Sequence, residues 1–206
     1  VKQCFYSREE LPYEIMEKDA SESELGARGI IFLPYLLGER FPIWNDNARG
    51  VFFGLERMHT RKDTTRAVFE AAAFIDRTMM EAIEETSANV TTIRVSGGLA
   101  RVNLISQIKA DVTGKEVIVL SEFETTASGA AMMVLEGQEH IPFEDLVRKF
   151  ARSRMVIYPD LENHEKYNVI YKLFKETYTS LEPMYDRRLE LLDAISNRRE
   201  IQIENL

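Results

Sequence analysis

Only one cysteine, Cys4, occurs among the 206 residues, so no disulfide can form within the chain. That usage fits an idle or buried thiol in a reducing compartment. No basic start is followed by an apolar run, so a secretory route is not indicated and the cytoplasm is the expected location. Long apolar stretches are missing too. The longest, residues 29–38, is interrupted by Pro34 and falls well short of the ~20 residues that cross a bilayer. Charge of one sign never gathers in a block. With a net charge of −8 spread along the chain, neither a nucleic acid backbone nor a membrane surface is an expected partner.

Several catalytic signatures are also lacking. His59, His140 and His164 stand far apart and no H-E-x-x-H occurs, so a metal site built from side chains is not expected. Gly114-Lys115 is followed by Glu116 rather than Ser or Thr, which excludes a P-loop. Position 101 is Arg where a dinucleotide fingerprint needs a third glycine, and no G-x-S-x-G supports a hydrolase nucleophile.

What is present is ordinary globular composition: 45% apolar and 29% charged residues, enough for one large domain with its own core. Residues 7–18 read as a helical lead-in. Residues 28–33 and 50–55 are short apolar runs that suit buried strands, with a Pro-, Gly- and Asn-rich loop between them. Over residues 61–86 apolar side chains recur every three or four positions, after Thr60 as N-cap and with Asp63 in the first turn. Strands are expected over 91–96 and 116–120, and helices over 102–113, ending at Gly114, and over 125–135. The helix at 125–135 is rich in small residues that permit close packing. A long aromatic helix from Tyr167 to Tyr185 is expected to break near Pro183. The alternation of strand and helix points to an α/β domain with helices packed on a sheet.

The junction at residues 96–103 stands out locally. Gly97-Gly98 follows a strand and precedes a helix start, where backbone amides are unpaired and a ligand can come close. A tight connecting turn explains the same residues, and both readings stay open on this motif alone. The charged loop holding Glu39, Arg40, Asp46 and Arg49 likewise reads either as a ligand or interdomain contact or as a loop held by local Asx turns and an ion pair.

Four stretches together resemble the second domain of FGGY carbohydrate kinases. They are Phe32-Leu-Pro-Tyr-Leu-Leu-Gly-Glu-Arg-Phe-Pro-Ile-Trp44, Asn47-Ala-Arg-Gly-Val-Phe-Phe-Gly-Leu55, Val95-Ser-Gly-Gly-Leu-Ala-Arg101 with Gln107-Ile-Lys-Ala-Asp-Val112, and Glu124-Thr-Thr-Ala-Ser-Gly-Ala-Ala131. The resemblance implies an actin-like, ribonuclease-H-like α/β fold with a mixed sheet. It implies ATP and Mg²⁺ as cofactors and a small sugar as acceptor. Gly97, Gly98 and Leu99 would then form the adenosine motif, with Asn103 near the adenine; Leu99 is bulkier than the glycine or alanine usual there.

The resemblance also implies that no catalytic residue lies in this chain. The aspartate base and the phosphate motifs would belong to segments ahead of Val1, and an N-terminal sugar-binding domain would be absent from these residues. Residues 1–192 then form the C-terminal nucleotide-binding domain and 193–206 a charged tail. The Leu-Leu-Gly-Glu-Arg and Ile-Trp-Asn-Asp-Asn-Ala-Arg-Gly forms are nearer xylulokinases and gluconokinases than glycerol kinases, with xylulose favoured over gluconate. A different class of function is a non-catalytic actin-like binding or assembly module. A domain lacking its partner exposes an apolar face through which a homodimer can form.

Overall fold

A computed structural model describes residues 5–10, 12–121 and 124–204, without the side chains of Leu99 and residues 196–204; Cys4 lies outside the described residues. The elements in chain order are α1 (Pro12–Ser21), a 3-10 turn (Ala27–Gly29), β1 (Ile31–Leu33), β2 (Val51–Phe53), α2 (Arg61–Glu84) and β3 (Thr92–Val95). A second 3-10 turn (Gly98–Arg101), α3 (Asn103–Thr113), β4 (Glu116–Leu120), α4 (Thr125–Glu139), α5 (Phe143–Phe150), β5 (Ser153–Ile157) and α6 (Leu161–Glu204) follow.

α2 begins as its sequence dictates. Thr60 accepts a hydrogen bond from the Lys62 amide, and the Asp63 carboxylate accepts from the Thr60 amide at 2.8 Å, closing a capping box. Asp63 also accepts from the Ser23 hydroxyl at 2.8 Å, which ties the start of α2 to the turn after α1. Nearby, the buried Tyr6 hydroxyl donates to Asp19 at 2.8 Å. Burial pushes this phenol up to about 12, so it stays protonated at neutral pH.

The main core lies where α1, α2, α3 and α6 meet. Phe74 of α2 is its centre, with ring centroids 6.1 Å from Tyr167, 5.9 Å from Tyr171 and 5.2 Å from Phe174. Buried aromatics at these separations gain edge or offset contacts beyond their area term. The aromatic periodicity of α6 is therefore core packing. One polar knot crosses the core. The Glu70 carboxylate accepts from the Arg66 guanidinium (2.7 Å), the Gly26 amide (2.9 Å) and the Tyr167 hydroxyl (2.9 Å).

Two sheets form. β1 and β2 pair antiparallel, and β3-β4-β5 make a mixed sheet with β3–β4 parallel and β4–β5 antiparallel. Along β4, Val117 and Val119 are buried while the alternate residues are only partly so, the period-2 signature of a strand with one face on a core. That face meets Ala110 of α3. α3 ends at Gly114 in the left-handed conformation (φ 66°), whose amide bonds the Ala110 carbonyl.

Three features differ from the sequence reading. α5 and β5 add a helix and an antiparallel strand absent from the sequence reading. α6 runs unbroken through Pro183 and on to Glu204, including residues expected as a tail. Pro183 removes one backbone bond, but Tyr178 and Tyr185 on either side are both buried and hold one axis across it. α4 extends to Glu139 and buries none of its residues, so its small side chains do not pack closely on other described residues.

Candidate nucleotide site

β3 delivers the chain to Ser96, and a sharp turn follows at Gly97, whose φ of 80° favours glycine. The Ala100 amide bonds the Gly97 carbonyl at 3.2 Å to form the 3-10 turn. Ala100 and Val102 are buried beneath it, one against Val117, Val119 and Ile157, the other in the main core. The turn is thus anchored from below. Above, a Cβ placed on Gly97 or Gly98 would meet no described atom within 4 Å. Gly98 has neither a positive φ nor a close neighbour to require it, so nothing inside the described chain explains that glycine.

Of the expected site residues, Gly97 and Gly98 face this opening. Leu99 lies in the 3-10 turn by its backbone, and its side chain is outside the described residues. Asn103 is the first residue of α3 and is exposed; its side-chain oxygen accepts from Arg154 of β5 at 3.0 Å. The next amide, Leu104 N–H, donates to Glu17 of α1 at 2.9 Å. A carboxylate therefore already occupies the positive end of α3. Ser96 and Thr125 share a hydrogen bond of 3.0 Å between their hydroxyls, which sets the start of α4 beside the same turn.

Between α1 and the turn lies a cleft of about 440 Å³, lined by Glu10, Tyr13, Glu14, Glu17, Arg101 and Val102. Three carboxylates outnumber the Arg101 guanidinium there, which disfavours a phosphate group. They suit a ligand that donates hydrogen bonds, such as a ring amine or sugar hydroxyls, and Tyr13 offers an aromatic surface for stacking. Glu10 and the α1 residues Tyr13, Glu14 and Glu17 did not emerge from the sequence reading as site residues. Their only signal was acidic side chains three or four positions apart, which is also how a solvated helix face looks.

Other motif residues act structurally. Asp111 accepts from Gln107 (2.8 Å) and from the Asp160 amide (2.9 Å) ahead of α6, and Lys109 pairs with Asp76 on α2. In the loop after β1, Asn45 accepts from the Asn47 and Ala48 amides in an Asx turn, and Arg40 lies 3.8 Å from Asp46. That loop has the local turn and ion pair of its simpler reading. Among the described residues no group of three or more His, Cys, Asp or Glu is placed to hold a metal ion. No helix among them is long and apolar enough to cross a membrane.

Comparison with known proteins bears on the family and the fold. Residues 1–135 match the FGGY family of carbohydrate kinases, C-terminal domain. A gluconokinase of Bacillus licheniformis is 31% identical over 189 residues, covering 91% of this chain and 37% of its own length. A xylulose kinase of Bacillus subtilis is 33% identical over 156 residues, covering 75% and 31%. Among solved structures, the gluconate kinase of Lactobacillus acidophilus superposes with a TM-score of 0.78 at 26% identity, covering 90% of this chain and 38% of that one. The xylulose kinase of the same organism gives 0.77 at 26% identity, covering 88% and 38%. The chain thus spans about a third of the length of these relatives, and the actin-like fold class is theirs. By its matched residues and its fold, this chain belongs to the FGGY family of carbohydrate kinases and corresponds to the family's C-terminal domain.

Proposed function

We propose that this chain is the nucleotide-receiving part of an ATP-dependent sugar kinase whose acceptor is D-xylulose. The observation that carries the reading is the Gly97-Gly98 turn, anchored beneath by Ala100 and Val102 and open above. Adenosine lies on that turn, with its polar edge toward Asn103 and the carboxylates of the adjoining cleft. The phosphates point away from α3, whose first turn Glu17 already occupies.

In the whole enzyme the acceptor hydroxyl forms a bond to the γ-phosphorus as the bond to the β-bridging oxygen breaks. ADP leaves and the hydroxyl proton passes to an aspartate base. That base and the phosphate-holding loops belong to the portion outside these residues, so this chain alone binds without turnover. A base alone is worth about 10²–10⁴-fold in rate. Mg²⁺ would sit with the phosphates and neutralise their charge, and among the described residues no cluster of acidic side chains would hold it by itself.

Gluconate is the second reading for the acceptor, since a gluconokinase and a xylulose kinase match at 31% and 33% identity. A kinase of the relatives' length carrying these residues, assayed with both compounds in parallel, decides between them by the ratio of kcat/KM. The nucleotide reading is tested by calorimetric titration of the chain with adenosine, ADP and pyrophosphate. Adenosine and ADP are expected to bind with affinities within about tenfold of each other, a gap of 1.4 kcal/mol, and pyrophosphate not to compete. Competition by pyrophosphate would overturn the placement. A concentration-dependent mass with no nucleotide response would favour the non-catalytic assembly module and its homodimer.

A further inference from the structure

α6 carries two stripes of residues, and the core uses only one of them. Tyr167, Tyr171, Phe174, Tyr178 and Tyr185 are buried along the first. The second runs through Leu173, Thr177, Met184, Leu191 and Ile195, at separations of four, seven, seven and four positions. With about 100° of turn per residue, these five fall on one line, roughly a quarter-turn around the helix from the buried stripe. At about 1.5 Å per residue the line is about 33 Å long. Thr177 is buried, but Leu173, Met184, Leu191 and Ile195 are all exposed. Large apolar side chains that recur so regularly on an open helix face mark a surface with something to cover it.

The two halves of this line differ in shape and in charge. At the N-terminal half, Leu173, Thr177, Ser180 and Leu181 line a groove of about 250 Å³, with the exposed Phe53 of β2 as its other wall. Glu176 is the charged residue of that lining. At the C-terminal half, Met184, Leu191 and Ile195 form a ridge, flanked by the exposed Arg187 and Arg188. One end is thus an apolar groove with an acid at its rim, and the other an apolar ridge with bases beside it. A groove and its matching ridge on one axis complement themselves under a two-fold rotation.

We infer that this stripe of α6 is an interaction surface for a second copy of the same chain, the two helices packing antiparallel. The two-fold axis passes between Leu181 and Glu182. Met184 of each copy then lies against Thr177, Ser180 and Leu181 of the other, and Leu191 meets Leu173 and the exposed Val169. The same alignment brings Arg187 opposite Glu176, and every contact occurs twice. Parallel pairing fits less well: it sets ridge on ridge, leaves both grooves empty and gathers the arginines of the two copies. A strip one helix wide falls short of the usual interface of about 800 Å² per partner, so the dimer is a weak one, with a Kd on the order of 10 μM. Lys172 already lies 3.9 Å from Glu176 on its own helix, so the pair across the dimer sets register more than it adds affinity. The surface shares no residue with the Gly97-Gly98 turn or the cleft beside α1, so a dimer that binds adenosine and one that does not support the inference equally.

Sedimentation velocity of the 206-residue chain, from about 1 μM to about 200 μM, is the test. The weight-average mass is expected to climb from that of one chain towards that of two across this range. Met184→Glu and Leu191→Glu, both at exposed positions, each lower the association constant at least about tenfold and keep the unfolding midpoint measured at the lowest concentration. Leu161→Glu, exposed on α6 but off the line, leaves association unchanged. Arg187→Glu and Glu176→Arg each weaken the dimer, and the two together restore it, which a structural role confined to one copy's helix end would not produce. Three results overturn the inference: the mass of a single chain at every concentration, a dimer indifferent to Leu191→Glu, or a charge swap that fails to recover association.

Discussion

The carboxylate of Glu17 on α1 accepts a hydrogen bond from the backbone amide of Leu104, 2.9 Å away in the first turn of α3. Val102, the residue at the N-cap of α3, has no side chain that could do this. An acidic residue borrowed from a neighbouring helix therefore satisfies one of the amides that every helix start leaves unpaired, and it sets a negative charge at the positive end of the dipole. Glu17→Ala is expected to lower stability by about 1 kcal/mol, the usual worth of a cap. Urea unfolding would show this as a lower midpoint with unchanged slope. An unchanged midpoint would mean that water caps α3 equally well.

The two glycines of the turn are predicted to behave differently. Gly97 sits at φ 80°, so Gly97→Val forces a β-branched residue into the left-handed region and costs about 1–2 kcal/mol of stability. Gly98 has ordinary backbone angles and open space, so Gly98→Val should leave stability within about 0.5 kcal/mol. Its branched side chain fills the space above the turn and lowers adenosine affinity about tenfold or more, or 1.4 kcal/mol. Unfolding curves and ligand titrations on both variants separate the effects. Full adenosine affinity in Gly98→Val would remove the turn from the site.

Much of this frame was legible because it is local. Thr60 and Asp63 announce the start of α2 and Gly114 the end of α3, each within a few residues, and the valines of β4 alternate on the 2-residue period. α5 and β5 were missed for different reasons. Phe143, Leu146, Val147 and Phe150 do recur at helical spacing, but over only two turns, so α5 was readable and overlooked, whereas Ser153–Ile157 mixes Arg154 with apolar residues and gives no clear strand period. The continuity of α6 across Pro183 depends on where Tyr178 and Tyr185 are buried, which is a tertiary fact. The site divides in the same way. The glycine turn is a motif, whereas Glu17 meets Leu104 across 87 positions of sequence and no local pattern can show it.

Glu70 is buried and bonded to Arg66, Gly26 and Tyr167. Burial pushes its carboxyl upward, opposed chiefly by the Arg66 guanidinium. Glu70→Ala leaves that guanidinium buried without its partner and should cost about 3–5 kcal/mol in guanidinium chloride unfolding. Replacing both residues by apolar ones of similar size, as in Arg66→Met with Glu70→Leu, should cost far less because no orphan charge remains. A double variant as unstable as Glu70→Ala would show that the polar knot is needed for packing rather than for charge balance.

Asp63 makes the fold sensitive to acid. Burial acts to raise its carboxyl pKa, but hydrogen bonds from the Thr60 amide and the Ser23 and Thr60 hydroxyls outweigh that and hold it below the ordinary aspartate value. A depressed carboxylate stabilises the fold above its unfolded pKa, about 3.9, and that contribution is lost as pH falls through the lower folded value. Asp63→Asn removes the ionised acceptor while keeping its shape. At pH 7 the variant should be about 1 kcal/mol less stable than the parent, the scale of a lost helix cap. Below about pH 4 the two unfolding midpoints should converge, because the parent carboxylate is then being protonated as well. Urea titrations of both proteins from pH 7 down to pH 3 measure the gap directly. A gap that persists unchanged to pH 3 would assign the loss to altered hydrogen-bond geometry rather than to charge, and the capping box would then not be the acid-labile contact at the start of α2.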